Sequence, residues 1–193
     1  MPLTRLLKQV RACQVCASDL PLGPRPIVQL AGSARLLIIG QAPGSKAHAS
    51  GIPWNDASGD RLRGWLDLDR SAFYDSTEIA MVPMGFCYPG AGATGGDVPP
   101  RPECAALWHA RLLRHLPDLK LTLLVGQYAQ RHYLGTRRKD TLTDTVRAFS
   151  NYTPQLFPLP HPSWRSQAWM SKNPWFERVV IPELRKATLK ALT

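Results

Sequence analysis

The chain has 193 residues, enough for one domain with a sizeable hydrophobic core and too few for two comfortable ones. No apolar run is long enough to cross a bilayer, and the first residues, MPLTRLLKQVRAC, lack the uninterrupted apolar region of a secretory signal, so we expect a cytoplasmic protein without a membrane partner. Lys and Arg outnumber Asp and Glu by 24 to 14, for a net charge of +10. This excess favours nucleic acid as a partner, the alternative being a solvated basic surface.

Apolar runs and helical periodicity alternate along the chain. Short apolar runs that end at Gly or Pro indicate buried strands, and apolar residues three or four apart indicate helices. In chain order we predict a helix over Leu3 to Val10, a strand over Leu36–Ile39, a helix capped by Ser58, a strand over Ile79 to Val82, a helix from about Glu103 to His115, a strand over Leu121–Val125, a helix over 127–134 ended by Gly135, a helix starting at Thr141, a strand over Leu156–Leu159, and a C-terminal helix that Pro182 kinks or divides.

This alternation predicts a three-layer α/β/α sandwich with a central four-stranded parallel sheet. Ligands of such sheets bind beyond the carboxyl ends of the strands. Three segments follow predicted strands: GQAPG at 40–44, the Gly/Pro-rich stretch at 84–102, and PHPS at 160–163. The second is too long to be a simple connection. We therefore expect the functional site at this edge of the sheet.

Two of these segments resemble motifs of a known superfamily. GQAPG resembles the first motif of the uracil-DNA glycosylase superfamily, and PHPS resembles its second, in the same order and topology. Between them, GIPW at 51–54 is similar to a Gly-x-Pro-Phe of related enzymes, and DASG at 56–59 resembles an Asp-x-Ser-Gly of the fifth family. The resemblance is closest to the iron-sulfur branches, families four and five. It implies one uracil-DNA glycosylase-like domain over 1–193, acting as a monomer on DNA.

The implied reaction gives roles to three side chains. Cleaving an N-glycosidic bond leaves positive charge on the sugar and negative charge on the departing base. His161 is expected to donate a hydrogen bond to the base. Asp56 is expected to position water or stabilise the cationic sugar, because Gln41 and Ala42 leave the first motif without an acid. Gln41 would then contact the base or hold water. The alternative for Asp56 is a hydrogen bond to the turn that precedes the helix.

Other residues are expected to contact the flipped base or the DNA backbone. Trp54 is expected to stack on the base, because enzymes that act on a base take it out of the stack and need an aromatic face to receive it. Trp164 would fill the space that the base leaves. The further predicted base contacts are Asn55, Gly40, Ala42 and Phe86, and the predicted DNA contacts are Pro43, Gly44, Ser163, Trp164 and Arg165.

One position departs from the resemblance. Relatives of the fourth type carry an asparagine about four residues before the third cluster cysteine, where it reads the uracil edge, and this chain has Pro83 there. Two interpretations are open. Asn55 or backbone groups of residues 84–86 substitute for the asparagine, or the preferred lesion is a base other than uracil.

The four cysteines are spaced like a ligand set. Cys13 and Cys16 have two residues between them, and Cys87 and Cys104 have sixteen. This pattern resembles the cluster spacing of the iron-sulfur glycosylases and implies a [4Fe-4S] cluster with a structural role. An all-thiolate zinc site ranks second and free thiols rank third, while disulfides are disfavoured in a cytosolic chain.

The resemblance implies a monofunctional DNA glycosylase that hydrolyses the bond between the sugar and uracil or a related damaged base. A lyase step needs a nucleophilic amine, and Lys46 is the one lysine within the motifs. The main alternative is a protein of the same fold that binds uracil-containing or abasic DNA with little turnover. A nucleotide-cofactor site is weaker, because GQAPG is neither G-x-G-x-x-G nor a P-loop.

Overall fold

A computed structural model describes residues 1–92, 96 and 98–193. Residues 93–95 and 97, part of the predicted long loop, lie outside the described residues. The strands are β1 Leu36–Ile39, β2 Ile79–Met81, β3 Leu121–Val125 and β4 Leu156–Leu159. They form one sheet in the order β2-β1-β3-β4, and every pair is parallel. The predicted fold class is therefore confirmed.

Both faces of the sheet are covered. All four residues of β1 are buried, as expected for a parallel strand that packs on helices at both sides. Ile38 is in register with Met81 on one side and with Leu123 on the other. The strands point the same way, so β1 and β4 both end at one edge of the sheet, where the first and second motifs begin.

Helices connect the strands. They are α1 Leu3–Arg11, α2 Ser45–Ser50, α3 Ala57–Leu66, α4 Arg70–Tyr74, α5 Ala110–Leu113, α6 Gln127–Leu134, α7 Leu142–Arg147, α8 Ser166–Lys172 and α9 Ile181–Leu192, with π-helical segments at Ala105–His109 and Phe176–Val180 and 3-10 turns at Ala17–Asp19, Gly135–Arg137 and Phe149–Asn151. Among the described residues no helix is long and apolar enough to span a membrane.

The helices bury a large hydrophobic cluster on each face of the sheet. One cluster joins Leu6 and Val10 of α1 to Trp108 and Leu112. The other joins α3 to α9 and to the π-helical segment before it, where Trp65 of α3 meets Phe176 edge to face at 5.0 Å between ring centroids. These clusters are the two interfaces of the predicted three-layer sandwich.

Several helices differ from the sequence-based expectation. The helix predicted from Glu103 to His115 contains the π-helical segment Ala105–His109, and the C-terminal helix changes from π to α geometry at Ile181, next to Pro182. The short helices α2, α4 and α8 were not predicted, because five to seven residues are too few to show an amphipathic period.

Candidate active site at the carboxyl edge of the sheet

A small cavity lies at the carboxyl edge of the sheet, between the first and second motifs. Its volume is about 70 Å³. The wall combines the first-motif loop, the segment before α3, the end of β2 and the second-motif loop. Its lining residues are Ile27, Gly40, Gln41, Ala42, Pro43, Gly44, Ala47, Pro53, Trp54, Asp56, Ser58, Met81, Pro83 and His161. We call this space the carboxyl-edge cavity.

Trp54 and His161 meet at this cavity from separate loops. Their ring centroids are 5.7 Å apart, with an angle of 31° between the ring planes. An aromatic face and a nitrogen donor on the wall of one small hollow suit a planar ligand with polar edges.

The backbone around Trp54 is unusual and depends on two glycines. Trp54 has φ of 56°, in the left-handed region that bulky residues rarely occupy. A Cβ on Gly40 would lie 2.5 Å from Cζ2 of the indole, and a Cβ on Gly59 would lie 1.7 Å from the Trp54 carbonyl oxygen. Only glycine at these two positions leaves room for the tryptophan as it is placed.

Asp56 is both a helix cap and a wall residue of the cavity. Its Oδ1 accepts a hydrogen bond of 2.9 Å from the backbone N–H of Gly59 and caps α3. The predicted cap, Ser58, is instead in the first turn of the helix. Asp and Ser are both good caps, and the extended backbone of Asp56, with φ of −156°, decides between them. One hydrogen bond uses one of about four acceptor positions of a carboxylate, so Asp56 keeps acceptors for a further donor.

The histidine of the second motif is held in its neutral form. Burial lowers the pKa of His161 below its ordinary value, and the negative charge of Asp56 opposes this shift without cancelling it. A neutral imidazole carries one N–H donor and one acceptor. His161 can therefore donate a hydrogen bond to a developing anion at neutral pH without itself carrying a charge.

The first-motif loop is tied to the segment after β2. The carbonyl oxygens of Gly40 and Gln41 accept 2.9 Å hydrogen bonds from the N–H groups of Met84 and Gly85. The side chain of Gln41 donates to the carbonyl oxygen of Val98 at 3.4 Å. Three predicted contacts from this loop, Ala42, Pro43 and Gly44, also line the cavity.

Two predicted base contacts lie elsewhere. The Asn55 side chain turns to α4, where its Oδ1 accepts a 2.9 Å hydrogen bond from Arg70. Phe86 is only 1% exposed, and its ring stacks on that of His109 at 5.7 Å. Neither side chain lines the carboxyl-edge cavity. Their side chains are directed away from the cavity in this structure, which spacing along a loop does not reveal.

The predicted DNA contacts of the second motif extend outward from the cavity. Trp164 is 71% exposed, and the Arg165 guanidinium lies 5.1 Å from its ring centroid. Ser163 is half-buried, and its N–H donates to the carbonyl oxygen of His161 at 2.9 Å. A large exposed aromatic beside an arginine is suited to contact a base step and a phosphate together.

One cation at this site was missed by the sequence analysis. Arg61, on α3, donates to the carbonyl oxygens of Pro162 and Ser163 at 3.0 and 2.6 Å. The sequence contains a signal for this arginine. Arg61 follows Ser58, a wall residue of the cavity, by three residues, so both side chains lie on the same face of α3. The sequence analysis used only the apolar face of this helix.

All four cysteines line a second cavity. They are free thiols, and their neighbours there include Leu20, Phe86 and Trp108. Burial raises the pKa of Cys16 and Cys87, and raises that of Cys104 to about 12. Among the described residues, no three His, Cys, Asp or Glu side chains are grouped so that they could hold a metal ion.

The backbone links this cysteine cavity to the carboxyl-edge cavity. The N–H of Phe86 lies 3.4 Å from the Cys104 sulfur. His109, which stacks on Phe86, has its Nε2 at 2.9 Å from the carbonyl oxygen of Pro83, a wall residue of the carboxyl-edge cavity. A carbonyl oxygen only accepts, so Nε2 carries the proton, and Nδ1 of the neutral ring accepts from the Tyr133 hydroxyl at 2.6 Å.

A comparison with protein-family models identifies the family. The model described as the uracil DNA glycosylase superfamily matches residues 28–185. The matched region contains all four strands and both motifs, so it covers every wall of the carboxyl-edge cavity except Ile27. It also contains Cys87 and Cys104, while Cys13 and Cys16 precede it.

Proposed function

The chain belongs to the uracil DNA glycosylase superfamily, whose members are DNA glycosylases. From this premise we propose that it hydrolyses the N-glycosidic bond of uracil or a related deaminated base and leaves an abasic site in DNA. The single observation that carries the proposal is the convergence of Trp54, His161 and Asp56 on one cavity. The net charge of +10 supports DNA as the partner.

In the proposed reaction, Trp54 receives the flipped base on its indole face. The neutral His161 donates a hydrogen bond to the base oxygen on which negative charge grows as the bond to the sugar breaks. Asp56 supplies the opposite charge, near the sugar carbon that becomes cationic, and accepts a proton from the attacking water. Ser58 and Gln41, both on the wall, provide polar contacts for the base edge.

The second motif is proposed to keep the base out of the stack. Trp164 enters the gap that the base leaves, and Arg165 binds an adjacent phosphate. Unstacking costs a few kcal/mol, and insertion of an exposed aromatic offsets it. We propose a monofunctional enzyme, because no lysine is among the wall residues of the cavity and Lys46 is exposed.

We further propose that Cys13, Cys16, Cys87 and Cys104 hold a [4Fe-4S] cluster, as the iron-sulfur branches of the superfamily do. The residues fit such a group because all four thiols line one largely apolar cavity. A single zinc ion needs its thiolates about 2.3 Å from one centre, whereas a [4Fe-4S] cluster takes its thiolates around a larger body. When bound, the cluster would supply a covalent tie between α1 and the segment around Phe86.

Pro83 offers no side-chain hydrogen bond at the position where relatives of the fourth type read uracil. The test is a panel of single- and double-stranded oligonucleotides that carry uracil, hypoxanthine or xanthine, incubated with protein and then treated with alkali. We expect cleavage of at least one, and release of none of these bases contradicts the proposed function.

Variants connect the activity to the cavity. We expect His161→Ala and Asp56→Asn to slow base release by about a hundredfold or more, because each removes a charge-stabilising group from the transition state. His115→Ala is the matched control, since His115 is a half-buried histidine outside the cavity wall. Equal activity of all three variants and the wild type would place the chemistry elsewhere.

A second candidate is a protein that binds damaged DNA with little turnover. It is favoured by the first motif, which has no acid, and by the capping bond that already engages Asp56. Band-shift titration of uracil-containing and abasic duplexes separates the two candidates. Tight binding of both duplexes with no released base would favour the binding protein.

A further inference from the structure

Arg61 joins the helix that follows the first motif to the loop of the second. Its Nη1 lies 3.0 Å from the carbonyl oxygen of Pro162 and 2.6 Å from that of Ser163. These two carbonyls stand between His161, which lines the cavity, and Trp164, which is exposed. The arginine therefore contacts the backbone at the point where the loop turns from the base side to the DNA side.

Several other hydrogen bonds of this loop are local. Ser163 donates to His161, and both the N–H and the hydroxyl of Ser166 donate to the Ser163 carbonyl oxygen. Local bonds of this kind shape a turn but do not fix its position relative to the rest of the molecule. The Arg61 guanidinium connects the loop to α3, through charge-assisted hydrogen bonds that are part-buried.

The helix that carries Arg61 also carries the opposite wall of the cavity. Asp56 caps α3, and Gly59 in its first turn packs against the carbonyl of Trp54. Through Arg61, the same helix also contacts the loop that carries His161 and Trp164. The helix α3 thus contacts the aromatic face, the carboxylate and the second-motif loop.

We propose that Arg61 is a positioning residue that holds the second-motif loop against α3, and that this anchoring is needed most when the loop must enter a DNA duplex. The second half of the proposal rests on the proposed function. On duplex DNA the loop has to replace the flipped base against the restoring force of stacking, whereas a base in single-stranded DNA needs no such replacement.

The first test does not depend on activity. Trypsin cleaves after Arg165, which follows the exposed Trp164, and cleavage of this bond in folded protein reports how often the loop opens. We expect Arg61→Ala to raise the cleavage rate at this bond about tenfold. Arg61→Lys should give an intermediate cleavage rate, because a single amine replaces the planar guanidinium. Mass spectrometry identifies the fragment that begins at Ser166.

Arg185→Ala is the matched control. Arg185 also donates to two backbone carbonyls, those of Trp65 at 3.2 Å and Gly64 at 2.9 Å, but at the far end of α3. Its loss should lower the melting temperature without faster cleavage at Arg165. Equal cleavage rates in the Arg61→Ala and Arg185→Ala variants would overturn the proposal. If Arg61→Ala does not fold, the comparison is made with Arg61→Lys.

The second test compares substrates. We expect Arg61→Ala to lower kcat/KM about tenfold more on a uracil-containing duplex than on the single strand of the same sequence, with most of the loss in kcat. A loss that is equal on both substrates contradicts the role in duplex entry. If the wild-type protein releases no base at all, the proposed function fails, while the proteolysis result still decides whether Arg61 anchors the loop.

Discussion

Trp54 and His161 come from opposite halves of the sequence, yet their ring centroids lie 5.7 Å apart on the wall of one cavity. Trp54→Ala should therefore lower kcat/KM for base release by about 10- to 100-fold, because stacking on an aromatic side chain contributes roughly 1–3 kcal/mol per base. Trp54→Phe should keep most of the activity. Trp175→Ala, at a half-buried tryptophan outside the cavity wall, controls for the loss of an aromatic, and an equal effect of both alanine variants would argue against stacking.

Gly40 tests whether the position of the indole matters as well as its presence. A Cβ on Gly40 would come within 2.5 Å of the Trp54 ring, so Gly40→Ala must displace the indole. We expect activity to fall while the fold remains. Gly64→Ala is the control, because a Cβ there meets nothing within 4 Å and alanine is favoured in a helix by roughly 0.5–1 kcal/mol. Full activity in Gly40→Ala would show that the ring position is not critical.

The charge of Asp56 should be measurable through the pKa of His161. Burial lowers this pKa and the Asp56 carboxylate raises it, so Asp56→Asn should lower the pKa of His161 further. The measurement is an NMR titration of the imidazole C–H signals, with the His161 signal assigned from its loss in His161→Gln. A rise of this pKa, or no change, would mean that the two groups are not electrostatically coupled.

His109 should make the fold sensitive to acid. Burial lowers its pKa from 6.5 to about 4. The folded-state pKa is below the unfolded value. The contribution of neutral His109 to the free energy of unfolding is therefore fully present above pH 6.5 and is lost progressively as the pH falls toward 4 and below. The full loss is on the order of 3 kcal/mol. In His109→Gln, the urea midpoint should be lower at pH 7 but should change less between pH 7 and pH 4.5. His115→Gln should retain the wild-type pH dependence. If the urea midpoint of His109→Gln changes with pH as much as that of the wild type, the acid sensitivity belongs to other groups.

The four cysteines should bind iron as a set. Protein purified without oxygen should contain about four irons per chain and absorb visible light, as a [4Fe-4S] cluster does. Replacing Cys104 with Ser should remove the absorbance and lower the melting temperature, since Cys104 lies beneath the Phe86 backbone. Elemental analysis distinguishes the alternatives. One zinc per chain, or no metal in anaerobic preparations, would contradict the cluster.

The strands could be predicted closely because their ends are marked by residue type. β1, β3 and β4 have the predicted bounds, and each begins or ends beside a polar, Gly or Pro residue. β2 is one residue shorter than predicted and ends at Met81. The alternation of strands and helices predicted the parallel sheet. The positions of the strand ends predicted the edge of the sheet where the cavity lies.

Features that depend on tertiary contacts could not be predicted. The carbonyls near the end of α2 accept hydrogen bonds from Arg25, a residue far from that helix in sequence. Asn55 follows Trp54 directly, yet its side chain turns to Arg70. The motifs indicate which loops meet, but the direction of each side chain follows from neighbours that the sequence does not identify.

The left-handed backbone of Trp54 limits how this protein can change. The indole is confined by Gly40 on one side, and its carbonyl is confined by Gly59 on the other. Neither glycine can acquire a side chain without moving the ring, so this part of the cavity has little freedom to adapt to a new base. Adaptation to another lesion, in evolution or by engineering, would therefore act through other wall residues, such as Met81 and Pro83, which reach the same hollow from the end of β2 and the residues after it.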